Sequence, residues 1–235
     1  MKQEFKRCLG WSLTVNEVDA SALFKRALID HPRDFWLHLH ALRWTTDREA
    51  RAGLALAALA VRPQSAGVYC SLAWNLQDRG DWRGALAAAE RAIEINPNYS
   101  EGYVERGLAL RGKKDLPGAA AALKRAIELE PGPGWARYCL GEVFQQQGRY
   151  AEAEQAYLGA IQAQPASSSA YALLAWLLAT CPDDKARDGK RALEYATTAC
   201  ERSGWKDPWC RPVSGWSSSL PFWSRTPFTG GGLRP

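Results

Sequence analysis

The sequence predicts an all-α fold, a solenoid of antiparallel helix pairs, from three observations. Four phrases, Ala58–Pro63, Ala92–Pro97, Ala126–Pro131 and Ala160–Pro165, recur every 34 residues. A fixed period of that length marks a stacked repeat. Within the period, small residues form columns at Ala73, Gly107 and Gly141 and at Ala85, Ala119 and Ala153. Large apolar residues form others at Leu76, Leu110 and Phe144 and at Trp82, Leu116 and Tyr150. Finally, Leu and Ala are abundant while β-branched residues are few outside the repeat ends, which favours helices.

Each element of the period has a physical reason. The small columns let two antiparallel helices approach closely, and the large ones fill the space between neighbouring units. Gly80 and Gly148 can adopt the positive φ that ends a helix at little cost. Each proline stops the second helix of its unit, and the next unit begins. The middle repeat departs twice: Arg106 stands in the column of Leu72 and Leu140, and Lys114 replaces the turn glycine. Arg106 is expected to carry its charged head to solvent, and Lys114 to cost a little at its turn.

These residues resemble the tetratricopeptide repeat, a helix–turn–helix unit, most closely at Tyr69, Leu72, Ala73 and Leu76, at the Gly80-Asp81-Trp82 turn with Ala85, and at Ala92 and Pro97. The resemblance implies a right-handed superhelix whose first helices line the concave face. A narrower one attaches to the phrase from Ala22 to Trp36, which resembles the segment opening the tetratricopeptide arm of planctomycete-type bacterial serine/threonine protein kinases. It implies descent from such an arm, without the catalytic domain.

In chain order, residues 1–18 read as an irregular lead-in, and 19–31 as a partial repeat contributing a helix from Ala20. Repeats follow at about 32–65, 66–99, 100–133, 134–167 and 168–205. In the first, Pro32 to Pro63 is three residues short of the period. Helices are expected from about Asp34 to Trp44 and Asp47 to Val61, with the shortening at the turn between them. Thr46-Asp47 can cap the second, and Glu49 suits its first turn. In the last repeat five extra residues enter the turn between Cys181 and Gly189. Residues 206–235, rich in Trp, Ser, Pro and Gly, read as an irregular tail. It is either an out-of-frame or recombined end, or a cover for the face left open by the missing next repeat.

Composition narrows the function. The formal charge of +5 is mild and no run of like charges appears, so a nucleic-acid partner is not expected. The six cysteines include no Cys-x2-Cys pair, which points to free thiols in a reducing compartment. No stretch approaches a membrane span or a signal segment, so no membrane partner is expected and the cytoplasm of a bacterial cell is the expected location. No catalytic residue can be assigned. His31-Pro-Arg-Asp34 only superficially resembles a kinase catalytic loop, His38 and His40 fall on different helix faces, and Gly230–Gly232 lacks the helix and lysine of a phosphate loop. No enzyme activity, metal or cofactor is expected.

A surface remains, for a protein or peptide partner. The resemblance places Cys70, Ser71, Trp74, Gln77, Val104, Glu105, Leu108 and Arg111 on the inward face, followed by Tyr138, Cys139, Glu142, Gln145, Ala172 and Trp176. Trp74, Tyr138 and Trp176 are either binding anchors or packing residues. Some members of the family clamp a terminal carboxylate with Lys and Asn at these positions. Cys70 and Trp74 stand there in this chain, and Glu105 and Glu142 would repel such a ligand.

Overall fold

A computed structural model describes residues 20–45, 47–132, 134–184 and 187–204. The lead-in, the C-terminal tail, Thr46 and Trp205 lie outside the described residues. Among the described residues are eleven helices and no strand: α1 (Ala20–Asp30), α2 (Phe35–Trp44), α3 (Arg48–Val61), α4 (Ala66–Asp78), α5 (Trp82–Ile95), α6 (Ser100–Gly112), α7 (Leu116–Leu129), α8 (Gly134–Gln146), α9 (Tyr150–Ala163), α10 (Ser168–Thr180) and α11 (Gly189–Ser203). From α2 onward they pack as pairs, α2 on α3 through α10 on α11, and the first helices α4, α6, α8 and α10 also touch in succession. The apolar core is divided accordingly. One cluster runs from α6 to α11, and smaller ones lie toward the N-terminal end.

The two helices of a pair meet where a small residue of the first faces a side chain of the second, and the two sizes vary inversely. Ala73 lies in a cluster with Ala89. Gly107 faces Leu123, whose Cγ would sit 2.7 Å from an added Cβ, and Gly141 faces Tyr157, whose ring would sit 2.6 Å away. Leu123 and Tyr157 are fully buried. A Gly inside a helix costs about 1 kcal/mol relative to Ala; here it makes room for a leucine or a tyrosine.

The turns follow the sequence closely. Gly80 and Gly148 have φ of 77° and 74°, and Lys114, in the same column, adopts φ 69°. Its side chain brings the strain that glycine avoids. Arg106 reaches solvent only in part: its side chain is 42% exposed, but Nε, 4.0 Å from Glu90, is closed off from solvent. The caps recur with the period as well. Asp47, Asp81 and Asp115 accept backbone N–H bonds at the starts of α3, α5 and α7. Arg149, next in the series, makes no side-chain cap for α9 although its backbone, φ −90° and ψ 66°, is close to that of Asp81.

The shortened first repeat corrects an expectation. The turn 45–47 is as long as its counterpart 79–81, and the link 31–34 matches 62–65. The three missing residues come from the first helix itself: α2 has 10 residues where α4 has 13. Because α2 and α4 start at the same distance from their prolines, α2 stops nearly one turn early, about 4.5 Å short. The insertion in the last repeat does lie in the turn, where 181–188 links α10 to α11.

Two stability measurements test this account. Gly141→Ala should lower stability by about 1–3 kcal/mol. Combined with Tyr157→Ala, it should cost less than the sum of the single changes, because the second removes the clash; strict additivity would mean the two side chains do not compete for space. Arg149 pairs with Glu152 and lies over the Phe144 ring. Arg149→Asp should stabilise the chain by about 0.5–1 kcal/mol in denaturant titration by restoring the missing cap, and a loss would show that these two contacts matter more.

Candidate functional site

The face formed by the first helices bears a groove of about 750 Å³ between α2 and α4, closed at one end by the start of α6. Two facts open it. No direct packing of α2 on α4 matches that between the later first helices, and α4 presents the small residues Gly67 and Ser71 toward the space. Phe35, Trp36, Leu39 and Leu42 form one wall, Val68, Trp74 and Asn75 the other, and Tyr99 and Glu101 the far lip. Trp36 is 53% exposed and Trp74 45%, although both are large apolar rings. Trp74 also lines a second cavity of about 330 Å³, with Trp82, Leu108 and Arg111, so it separates two hollows along one face.

Charges around the groove are mostly neutralised. The Arg51 guanidinium lies 4.6 Å from the Trp74 ring and donates to Asp78 at 3.2 Å. Tyr99 donates its hydroxyl to Glu101 at 2.6 Å. Asn75 donates Nδ2 to the Ser71 carbonyl, while its Oδ1 and Nε of Arg51 are closed off from solvent without a partner. Arg62, at the end of α3, differs. It stacks 4.4 Å from the Phe35 ring and 5.5 Å from Trp36, and among the described residues no carboxylate pairs with it.

The expected site residues fall into two sets that share Leu108, which is largely buried yet reaches the wall of the second cavity. Ser71 and Trp74 line the groove, and Gln77, Leu108 and Arg111 line the second cavity. Cys70, Val104, Glu105, Leu108 and Cys139 are buried. Of these, Glu105 takes part in a polar link between neighbouring first helices. Gln77 donates Nε2 to the Glu105 carboxylate at 2.7 Å, and Arg111 pairs with Glu142. Neither glutamate therefore projects a free charge over the face. Burial pushes the Glu105 carboxyl up to about 8; the Gln77 bond opposes the shift and the Glu101 charge adds to it. Tyr138 packs against the main core and Gln145 accepts from Tyr157 at 3.1 Å. Ala172 and Trp176 are half-buried on α10.

Sequence reasoning missed Trp36, Arg62 and Tyr99. Trp36 belongs to the column of Gly67, Glu101 and Trp135, so the period already placed it on the first-helix face. Of the two α2 histidines, His38 is buried against the Pro32 carbonyl at 2.9 Å and His40 is exposed. Among the described residues no group of His, Cys, Asp and Glu could hold a metal, and no helix is long and apolar enough to cross a membrane.

Two models of the tetratricopeptide repeat match the chain, over residues 70–134 and 110–177. No curated protein sequence matches it. Among solved structures it is similar to TTC0263, a thermophilic tetratricopeptide protein of Thermus thermophilus, at 22% identity and TM-score 0.62, covering 80% of this chain and 93% of that one. It is similar also to PilW, a type IV pilus biogenesis factor, at 18% identity and TM-score 0.64, covering 81% and 87%. A third is YrrB, described as having an unusual peptide-binding site, at 18% identity and TM-score 0.50, covering 81% and 97%. At these identities the likeness is one of fold, and the fold is that of the all-α tetratricopeptide solenoid.

The buried carboxyl gives a prediction with a definite sign. The folded state raises the pKa of Glu105 above the ordinary 4.5, so its contribution to stability is complete below about 4.5 and lost as pH rises through about 8. Glu105→Gln should therefore gain on the parent chain as pH increases, by about 3 °C or more in Tm above pH 8. A difference in Tm that does not change with pH would show that Glu105 stays ionised in the fold.

Proposed function

We propose that this tetratricopeptide solenoid is a non-catalytic scaffold that binds a peptide or helix of a protein partner on its concave, first-helix face. The observation that carries the reading is the groove between α2 and α4, with two tryptophans left half-exposed on facing walls. Exposed aromatic rings in a concavity are the usual anchors of an interface. The peptide-binding site described for YrrB supports the same use of the fold. Arg111, Tyr138, Glu142, Gln145 and Trp176 extend the proposed surface along the later first helices, while Cys70, Val104, Glu105 and Leu108 support it from beneath. We place the chain in the cytoplasm, with neither nucleic acid nor membrane as its partner.

A second reading, the interaction arm of a serine/threonine protein kinase whose catalytic domain is not on this chain, rests on the phrase from Ala22 to Trp36. It leaves the binding face unchanged and assigns phosphotransfer elsewhere.

Peptides selected from a displayed random library on the immobilised full chain provide the test. Trp74→Ala and Trp176→Ala should each weaken the selected peptides by about tenfold, a loss of about 1.4 kcal/mol, with far-UV circular dichroism unchanged. If both changes melt the helices, the tryptophans are packing residues and the binding face lies elsewhere.

A further inference from the structure

We infer that the groove between α2 and α4 selects an extended acidic peptide, with a side-chain carboxylate on Arg62 and the adjacent apolar residue between Trp36 and Trp74. This rests on the proposed use of the first-helix face and names the class of partner that fits it. Arg62 belongs to the C-terminal cap of α3, a second helix, so none of the first-helix positions considered above includes it. Its guanidinium carbon lies over the Phe35 and Trp36 rings, 4.4 and 5.5 Å from their centroids, at the lip of the groove. No side-chain hydrogen bond or ion pair from it to protein exists among the described residues. A planar cation held on aromatic faces, with its N–H groups free, is pre-organised for a carboxylate.

The other charges of the groove set polarity. Asp78 already neutralises Arg51. Glu101, at the opposite lip, places a carboxylate there and accepts from the Tyr99 hydroxyl. An acid at that end meets like charge, and an acid at the Arg62 end meets an unpaired cation. Between the two lips the walls are aromatic and the α4 floor is Gly67 and Ser71, which leaves room for an apolar side chain. The cleft therefore favours one direction of peptide, acidic residue at Arg62 and apolar residue beside it.

The test uses the full chain and a random peptide library displayed by fusion through the peptide C-terminus, so that every carboxylate selected belongs to a side chain. Selection on the parent chain should enrich Asp or Glu next to an apolar residue. Selection on Arg62→Gln should return the acid to its unselected frequency and keep the apolar residue. A selected peptide should bind Arg62→Gln about tenfold more weakly than the parent, and only the parent should lose affinity as salt rises. Circular dichroism of Arg62→Gln confirms that the fold is intact. Acid enrichment that is absent, or that survives Arg62→Gln, overturns the acidic partner; the first-helix reading then stands if the selected peptides still depend on Trp74. If no selected peptide depends on Trp74 or Trp176, both readings fall together.

Discussion

The close approach of the two helices within each unit is the constraint on which the rest of the structure depends. A helix can bring its axis near its partner only where one side gives up volume, and this chain does so at Ala73, Gly107 and Gly141. The facing positions then hold Ala89, Leu123 and Tyr157, each larger than the one before. Once the pair is locked, its outer faces are fixed in direction. The first helices touch in succession, and the polar links from Gln77 to Glu105 and from Arg111 to Glu142 tie them into a continuous surface.

Where that succession loosens, a groove appears. The ten-residue α2 ends nearly one turn before its counterparts and does not close against α4, so aromatic rings that would otherwise be covered remain open. Trp36, at the start of α2, and Trp74, near the end of α4, are both exposed along this gap, and Arg62 lies over the Trp36 ring. An irregularity in repeat length, instead of any added loop or motif, gives this surface its character. The regular units contribute rigidity; the irregular one contributes a place to bind.

Most of the fold was legible in the sequence because period and steric need coincide. The prolines, the turn glycines and the small columns each answer to one local requirement, and the starts of α2, α3 and α10 fall where Asp34, Asp47 and Ser168 suggested. Spacing alone could not tell a short turn from a short helix, since both remove three residues between prolines; the position of Trp44 at the end of α2 decides it. The site was less legible. A face assigned by register includes positions that point between helices as well as outward, which is why Cys70, Val104, Glu105 and Leu108 are buried while Ser71 and Trp74 are not. Arg62 escaped notice because its role depends on rings from another helix, a proximity that only the tertiary structure creates.

Hydrogen exchange of the full chain with and without a library-selected peptide tests the central claim most directly. The account predicts new protection in α2, α4 and the first turn of α6, where the walls and lip of the groove lie, with the second helices α5, α7 and α9 unchanged. Protection confined to those second helices, with α2 and α4 exchanging as before, would contradict it.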